Sequence, residues 1–478
     1  MSSRFTWDAP GLNKGQFIAL TNLLSLRNGR QLQPPSEQAS EFGNDFPQSN
    51  PRVKQRTDSS PEDDLKQRFL DRLAEVISKD KRVEYVACTT MKEYQDHVKV
   101  WVACNDGLDE NDKAFLCSFS AKMSALAIIQ QNSLWNLLLK HNTPRLGVYA
   151  SWVSSKDHQL SLNTICDENM KKTLNDFLDT IEHRSSTNKF DRLCCLALQI
   201  RDIPSAQKMI QDYLKNGKCL WKSIIFLARF RRAYLTFCEI AQTIPRFCSL
   251  EFFPIPKIIT PCKPPPLKLA DTFHLLRQPL NTTTVHRFVA RISIQDAQQR
   301  FDQRQKQSLH VHAELQIVQH LLQSHIHIED IFQYMGCSKR NCFMCKTFLH
   351  IFCHVGTRGC HGKLYNQWSI PEISGIDDQM MQELEKTVKQ ILEILLQELS
   401  KPIPTCGAVP DSSAGTTTIH TPMGSDITPD WDRQILNALH TYFASQWRID
   451  WSQRLAVSAT LAQPYLSVIT AKGEIYPV

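Results

Sequence analysis

Long hydrophobic runs are missing from this chain. No stretch approaches the ~18 apolar residues that a membrane-spanning helix needs, and the densest short run, Ile224-Ile225-Phe226-Leu227-Ala228, falls far below that length. Met1 to Gln16 carries no apolar segment of the secretory type. Internal repeats are lacking too. Together these absences predict a soluble intracellular protein, cytoplasmic or nuclear, with no membrane partner. Acid is absent from Ile331 through Pro371, a stretch that nevertheless carries Lys339, Arg340, Lys346, Arg358 and Lys363.

What is present is ordinary for a globular protein. The 478 residues are 42% hydrophobic and 22% charged, with a net charge of +7. That length suits two or three domains, and the charge gives a mild preference for anionic partners without bearing on fold. Sixteen cysteines would suggest a disulfide framework in a short secreted chain. In this long, unsignalled one most of them read as reduced, buried apolar side chains, as for Cys194-Cys195 in the run Leu193 to Leu198.

Patterning divides the chain. Residues 1–64 read as a short helix (Phe17, Leu20, Leu23 and Leu24 on one face) followed by a polar tether from Asn28. Residues 65–253 read as a mainly helical domain containing one strand at Val98 to Ala103, with no constellation of catalytic type and hence a scaffold role. Residues 254–284, with Pro264-Pro265-Pro266, form a stiff connector. Within residues 285–372 the expected order is strand (Arg287 to Ile294), helix (His310 to Ser324), strand (Asp330 to Met335), helix (Asn341 to Phe352) and strand (Lys363 to Trp368). That order implies an α/β sandwich, a mixed sheet with flanking helices. Residues 373–400 form one long amphipathic helix, 401–430 a Pro/Thr/Ser/Gly-rich linker, and 431–478 a helix and a terminal hairpin.

Only one place has metal-ligand spacing. His312-Ala313-Glu314 is followed some thirty residues later by Cys342-Phe343-Met344-Cys345. A Cys-x-x-Cys at a helix start aims two thiolates at one point, and the helix N-terminus favours their ionisation. His312, in the first turn of another helix, supplies a nitrogen. Three protein ligands leave the fourth tetrahedral position of a zinc ion open to water, as in catalytic sites. Glu314 reaches that position without binding the metal and can shuttle protons. This is the His-x-Glu and Cys-x-x-Cys signature of hydrolytic base deaminases. A purely structural zinc would need a fourth ligand, which Cys337 or His310 could provide, but would not need an acid at 314. A zinc-finger reading is disfavoured because the ligand spacing is not a finger's.

The sequence resembles the deaminase-like branch, common in fungi, of the zinc-dependent nucleotide and nucleic-acid deaminase superfamily. The resemblance rests on His312-Ala313-Glu314, on Gly336-Cys337-Ser338-Lys339 leading into Cys342-x-x-Cys345, and on Gly359-Cys360-His361-Gly362-Lys363-Leu364-Tyr365 with Trp368 behind it. It implies a cytidine-deaminase-like fold joined to a larger, mainly α-helical N-terminal domain. It also implies Zn2+ held by His312, Cys342 and Cys345, Glu314 as the catalytic proton shuttle, and a base of a nucleotide or nucleic acid as substrate. Ser338, Lys339 and His361 are candidate substrate-binding residues. The motif departs at Asn341, where the superfamily carries Pro before its first Cys; here Ser338-Lys339 stands in. The rival reading is a catalytically inactive deaminase-fold interaction module with a structural zinc.

Overall fold

The strands Ala87–Glu93 and Val98–Cys104 are buried along most of their length while most helices bury one face, and the result is an α/β protein. Its computed structural model describes residues 3–5, 7, 11–33, 60–126, 131–153, 167–182, 188–214, 216–258, 265–289 and 291–403, all within the unit Met1–Thr416. The N-terminal part contains β1 (Ser3–Arg4), α1 (Lys14–Ser25), α2 (Pro61–Ile77), β2 (Ala87–Glu93) and β3 (Val98–Cys104). Six helices follow: α3 (Glu110–Leu126), α4 (Gln131–Ser151), α5 (Glu168–Glu182), α6 (Lys189–Arg201), α7 (Ala206–Tyr213) and α8 (Gly217–Thr243). Then come β4 (Leu250–Pro254), α9 (Leu269–Leu275), α10 (Thr282–Phe288), α11 (Ile294–Lys306) and α12 (Ala313–Gln323). The last elements are β5 (Tyr334–Cys337), α13 (Phe343–Phe348), β6 (Gly356–Thr357), β7 (Ser374–Ile376) and α14 (Asp378–Ser400).

The central sheet is mixed and runs β4-β3-β2-β5-β6. β2 pairs antiparallel with both β3 and β5, while β4 and β6 join as parallel edges. A small second sheet pairs β1 with β7. Strand side chains alternate between faces. On β3, Val98, Val100 and Val102 join a core made with α2 through α8, and Trp101 and Ala103 join a second core made with α1 and α9 through α14. One sheet therefore separates two helical layers.

This corrects the picture of a helical domain tethered to a separate sandwich: residues from the expected helical domain supply β2 and β3, and β4 begins inside it, so three of the five strands of the shared sheet come from before the proline-rich segment. Local differences have local causes. Among the described residues of Arg287 to Ile294 there is no strand. Val285, Phe288 and Val289 are buried at helical spacing, and Asn281 caps α10 by accepting from Thr284 N–H. Asp112 to Leu139 is two helices, α3 and α4. Lys363 to Trp368 makes single bridges to Gln31 and His310 instead of a strand. Of the expected tether, residues 34–59 lie outside the described residues. Its start packs against residues 361–364, and its end begins α2, where Ser60 accepts from Asp63 N–H and Pro61 occupies the first turn. The expected linker (apart from 401–403), terminal helix and hairpin also lie outside the described residues.

Gly336 sets how closely α2 lies on β5. A Cβ there would sit 2.2 Å from the Leu70 carbonyl carbon and 2.6 Å from Asp71 N, both backbone atoms. Among the described residues, no helix is long and apolar enough to cross a membrane.

Candidate metal centre

His312 is the N-cap residue of α12 and is extended (φ −68°, ψ 154°). The helix start is held from across the fold: Ala313 N–H donates to Asn105 Oδ1 at 2.9 Å, and the Gln316 amide donates to the Asn105 carbonyl at 3.0 Å. Cys342 is the N-cap residue of α13, its Sγ accepting from Cys345 N–H at 3.3 Å. Both halves of the motif are thus helix starts, where backbone N–H groups favour negative charge.

The three donors converge. His312 Nδ1 lies 3.6 Å from Cys342 Sγ and 3.3 Å from Cys345 Sγ, and all three donor atoms lie within 4.8 Å of one another, a grouping that could hold a metal ion. With Zn–S near ~2.3 Å and Zn–N near ~2.1 Å, tetrahedral ligands should be about 3.5–3.8 Å apart. The cluster fits zinc by spacing and by its soft donor set. Neither proposed fourth ligand belongs to it. Cys337 Sγ faces Cys88 Sγ at 3.8 Å in the sheet, and His310 is held by its backbone, whose N–H donates to the Gln367 carbonyl. No disulfide occurs among the described residues, and most of their cysteines are buried thiols, as the composition suggested.

Glu314 is buried, with Oε2 3.5 Å from Cys345 Sγ. Burial raises its pKa above the usual carboxylate range, and the nearby His312 ring opposes this. Burial would lower the pKa of His312, but the Cys342 thiolate and Glu314 raise it. Against its own burial, Cys342 is driven well below the usual thiol range by its bonds to Cys345 and His312, while burial and Cys342 push Cys345 up. A thiol that ionises readily thus lies beside a carboxyl biased toward its protonated form.

The neighbourhood contains residues that motif spacing alone does not reveal. Trp368 Nε1–H donates to Cys345 Sγ at 3.3 Å; buried beside Phe17 and Phe348, it is a wall and not an open stacking face. The half-buried Tyr365 ring has its centroid 6.2 Å from that of His312 and 5.6 Å from that of His361. The Arg30 guanidinium lies 5.7 Å from the centre of the Tyr365 ring. Nothing in its surrounding sequence marks Arg30; the His-x-Glu, Cys-x-x-Cys and Gly-Cys-His-Gly segments were the only signals.

Of the three candidate substrate-binding residues, His361 shares the Tyr365 ring as a neighbour with His312; its Nδ1 accepts from Lys363 N–H. Lys339 is half-buried, its ammonium directed at the Lys81 carbonyl at 3.4 Å. Ser338 is fully buried and its Oγ accepts from Ala87 N–H, so the sheet has taken it. The acid-free basic stretch does not form a continuous rim. Lys346 and Lys363 are buried, and Arg358 enters an ion-pair cluster with Glu75. Asn341, which stands where the superfamily motif has Pro, is fully buried with neither amide atom hydrogen-bonded.

No curated protein and no solved structure matches the chain significantly. Residues 311–372, which hold His312, Glu314, Cys342 and Cys345, match the family model described as OTT_1508_deam-like deaminase, so that segment of the chain is similar to this deaminase-like family.

Proposed function

We propose that this protein is a zinc-dependent hydrolytic deaminase, of cytidine-deaminase-like fold, acting on a base of a nucleotide or nucleic acid. The observation that carries the reading is Glu314: a buried carboxyl beside three metal-type donors and not one of them. His312 Nδ1, Cys342 Sγ and Cys345 Sγ would hold the ion. Zinc, when bound, supplies the Lewis acidity that brings water into ionisation range near neutral pH.

The chain's own residues do the rest. Because burial favours its protonated form, Glu314 can take one proton from the attacking water and pass it to a ring nitrogen, then take a second from the hydroxyl added to the ring carbon and pass it to the departing amino group, which leaves as ammonia. Trp368 and Phe348 keep the donors dry on one side. Tyr365 and His361 offer a half-open wall where a base could lie.

A structural zinc in an inactive interaction module is the second reading. It is disfavoured because no fourth protein donor joins the cluster among the described residues and because such a site needs no buried acid. Two measurements separate the readings. Metal analysis should find one zinc per chain, lost in the Cys342→Ser, Cys345→Ser double variant. Ammonia release across nucleosides, nucleotides and single-stranded DNA and RNA should vanish in Glu314→Gln while zinc is retained. Zinc retention in the double cysteine variant, or full activity in Glu314→Gln, would sink the proposal.

A further inference from the structure

On the same side of the sheet as α10 and α14 lies an open groove of about 710 Å3, lined by Asn28, His286, Arg287, Arg291, Ser400 and Lys401 among others. His286, Arg287, Arg291 and Lys401 are all exposed, and no lining residue is acidic. Glu398 lies close by, next to Lys401. It is buried, pairs with Lys401 at 2.8 Å and accepts from the Gln33 amide. Beneath it the buried Arg27 guanidinium donates to the Glu398 and Lys401 carbonyls. The groove is open and cationic, with Pro402 and Ile403 adding an apolar strip to its lining, unlike the enclosed apolar cavity that a small cofactor prefers.

The groove is joined to the metal centre by three consecutive residues in left-handed backbone conformation: Asn28 (φ 39°), Gly29 (φ 60°) and Arg30 (φ 75°). Glycine adopts this region easily, asparagine tolerably and arginine rarely. Such outliers persist only where surrounding contacts enforce them, and here the Arg30 carbonyl accepts from Leu364 N–H while Gln31 bridges Lys363. The turn puts Asn28 in the groove and Arg30 over Tyr365, whose ring neighbours His312. Consecutive Cα atoms are about 3.8 Å apart, so Asn28 and Arg30 are within roughly 7–8 Å. A few nucleotides of extended strand span that path.

We propose that this groove binds the phosphodiester backbone of a single-stranded nucleic acid, whose base is delivered past the Asn28–Arg30 turn to the Tyr365 wall of the metal centre. Guanidinium forks suit phosphodiester oxygens, an aromatic wall suits a base of any sequence, and a base that undergoes ring chemistry must be unstacked. Delivery of the base rests on the deaminase reading above; occupation of the groove does not.

The test uses the full zinc-loaded chain and a short fluorescein-labelled oligonucleotide of mixed sequence, as DNA and as RNA, read by anisotropy across salt concentrations. Wild type should bind with an affinity that falls as salt rises. Arg287→Glu, Arg291→Glu should lower affinity about tenfold or more and flatten the salt slope by about 0.7 per lost phosphate contact. Arg291→Glu alone should do so partially. Zinc content and circular dichroism should be unchanged in both. Absence of binding at low salt, or equal binding by the double variant, overturns the proposal. So does equally tight, arginine-dependent capture of phosphatidylserine vesicles or polyglutamate, which would make the groove a general polyanion surface. Ammonia from free nucleotides in wild type and variant alike, with no oligonucleotide binding, leaves the deaminase reading standing and removes this one. Arginine-dependent oligonucleotide binding with no ammonia from any substrate does the reverse.

Discussion

Trp368 and Cys345 meet through an N–H···S hydrogen bond of 3.3 Å, made by the indole of a loop pinned alongside His310 to a thiol in the first turn of α13. That bond fixes the orientation of one metal-type donor and stabilises negative charge on it. Outer-shell partners of this kind commonly contribute about 10–100-fold to metal affinity. Trp368→Phe keeps the ring packing and removes only the donor. Competition titration against a chromophoric chelator should show zinc affinity reduced within that range, with the fold retained by circular dichroism. Wild-type affinity would show that the bond does not act on the metal.

Glu75 is the hub of the opposite layer. Its buried carboxylate is 2.6 Å from Arg72, 2.7 Å from Arg358 and 3.9 Å from Arg229. Although burial opposes ionisation, these arginines hold its pKa far below the ordinary carboxylate range. Arg358 also donates to the Cys337 carbonyl at 3.0 Å, tying the end of β5 to α2. Removing one member of a buried ion cluster strands the others and costs about 3–5 kcal/mol. Glu75→Gln should therefore lower the unfolding free energy by that order in urea titrations. A loss of a few tenths of a kcal/mol would mean that the arginines are solvated.

The same cluster shows what the sequence could and could not disclose. The donor set was legible because ligand chemistry imposes short-range spacing: His312 and Glu314 are two residues apart, Cys342 and Cys345 three, and each pair starts a helix. The helices around it were legible from apolar periodicity. Strand placement was harder. β5 is only four residues long and owes its position to long-range pairing with Cys88 and Thr89. Phe288 to Ile294 mimicked alternation while Val285, Phe288 and Val289 were burying one helical face. Arg358 stands in an acid-free stretch of the sequence, and its acidic partner, Glu75, lies on α2 in a different region of the chain. Pairing across such separations leaves no local signal.

Gly362 separates a packing constraint from a chemical one. It has φ +72°, and a Cβ there would lie 2.0 Å from the Gln33 carbonyl oxygen. Its own carbonyl accepts from Leu32 and Gln33 N–H, and Leu364 N–H donates to Arg30. Gly362→Ala should therefore push residues 30–33 off the site at a cost of about 1–3 kcal/mol. Hydrogen exchange should show faster exchange at the Leu32 and Leu364 amides and little change in α8. Retained protection at both would mean that the backbone adapts without releasing the segment.

His141 makes stability depend on pH. It stacks on Phe115 with ring centroids 3.8 Å apart, and Nε2 lies 3.9 Å from Asp112 Oδ1. Lys79 and Asp109 are the other charged groups facing it. Burial holds its pKa down to about 4, against 6.5 for an unperturbed imidazole. Between those values the unfolded chain binds a proton that the folded chain refuses, so stability rises with pH across this window. The contribution is fully present above pH 6.5 and is lost as pH falls toward 4; the shift corresponds to about 3 kcal/mol. Other buried carboxylates also weaken the fold in acid, so the informative quantity is a difference. His141→Gln cannot titrate, and urea midpoints between pH 4 and 7 should fall less steeply for it than for wild type. Parallel curves would show that His141 is protonated inside the fold, neutralised by Asp112.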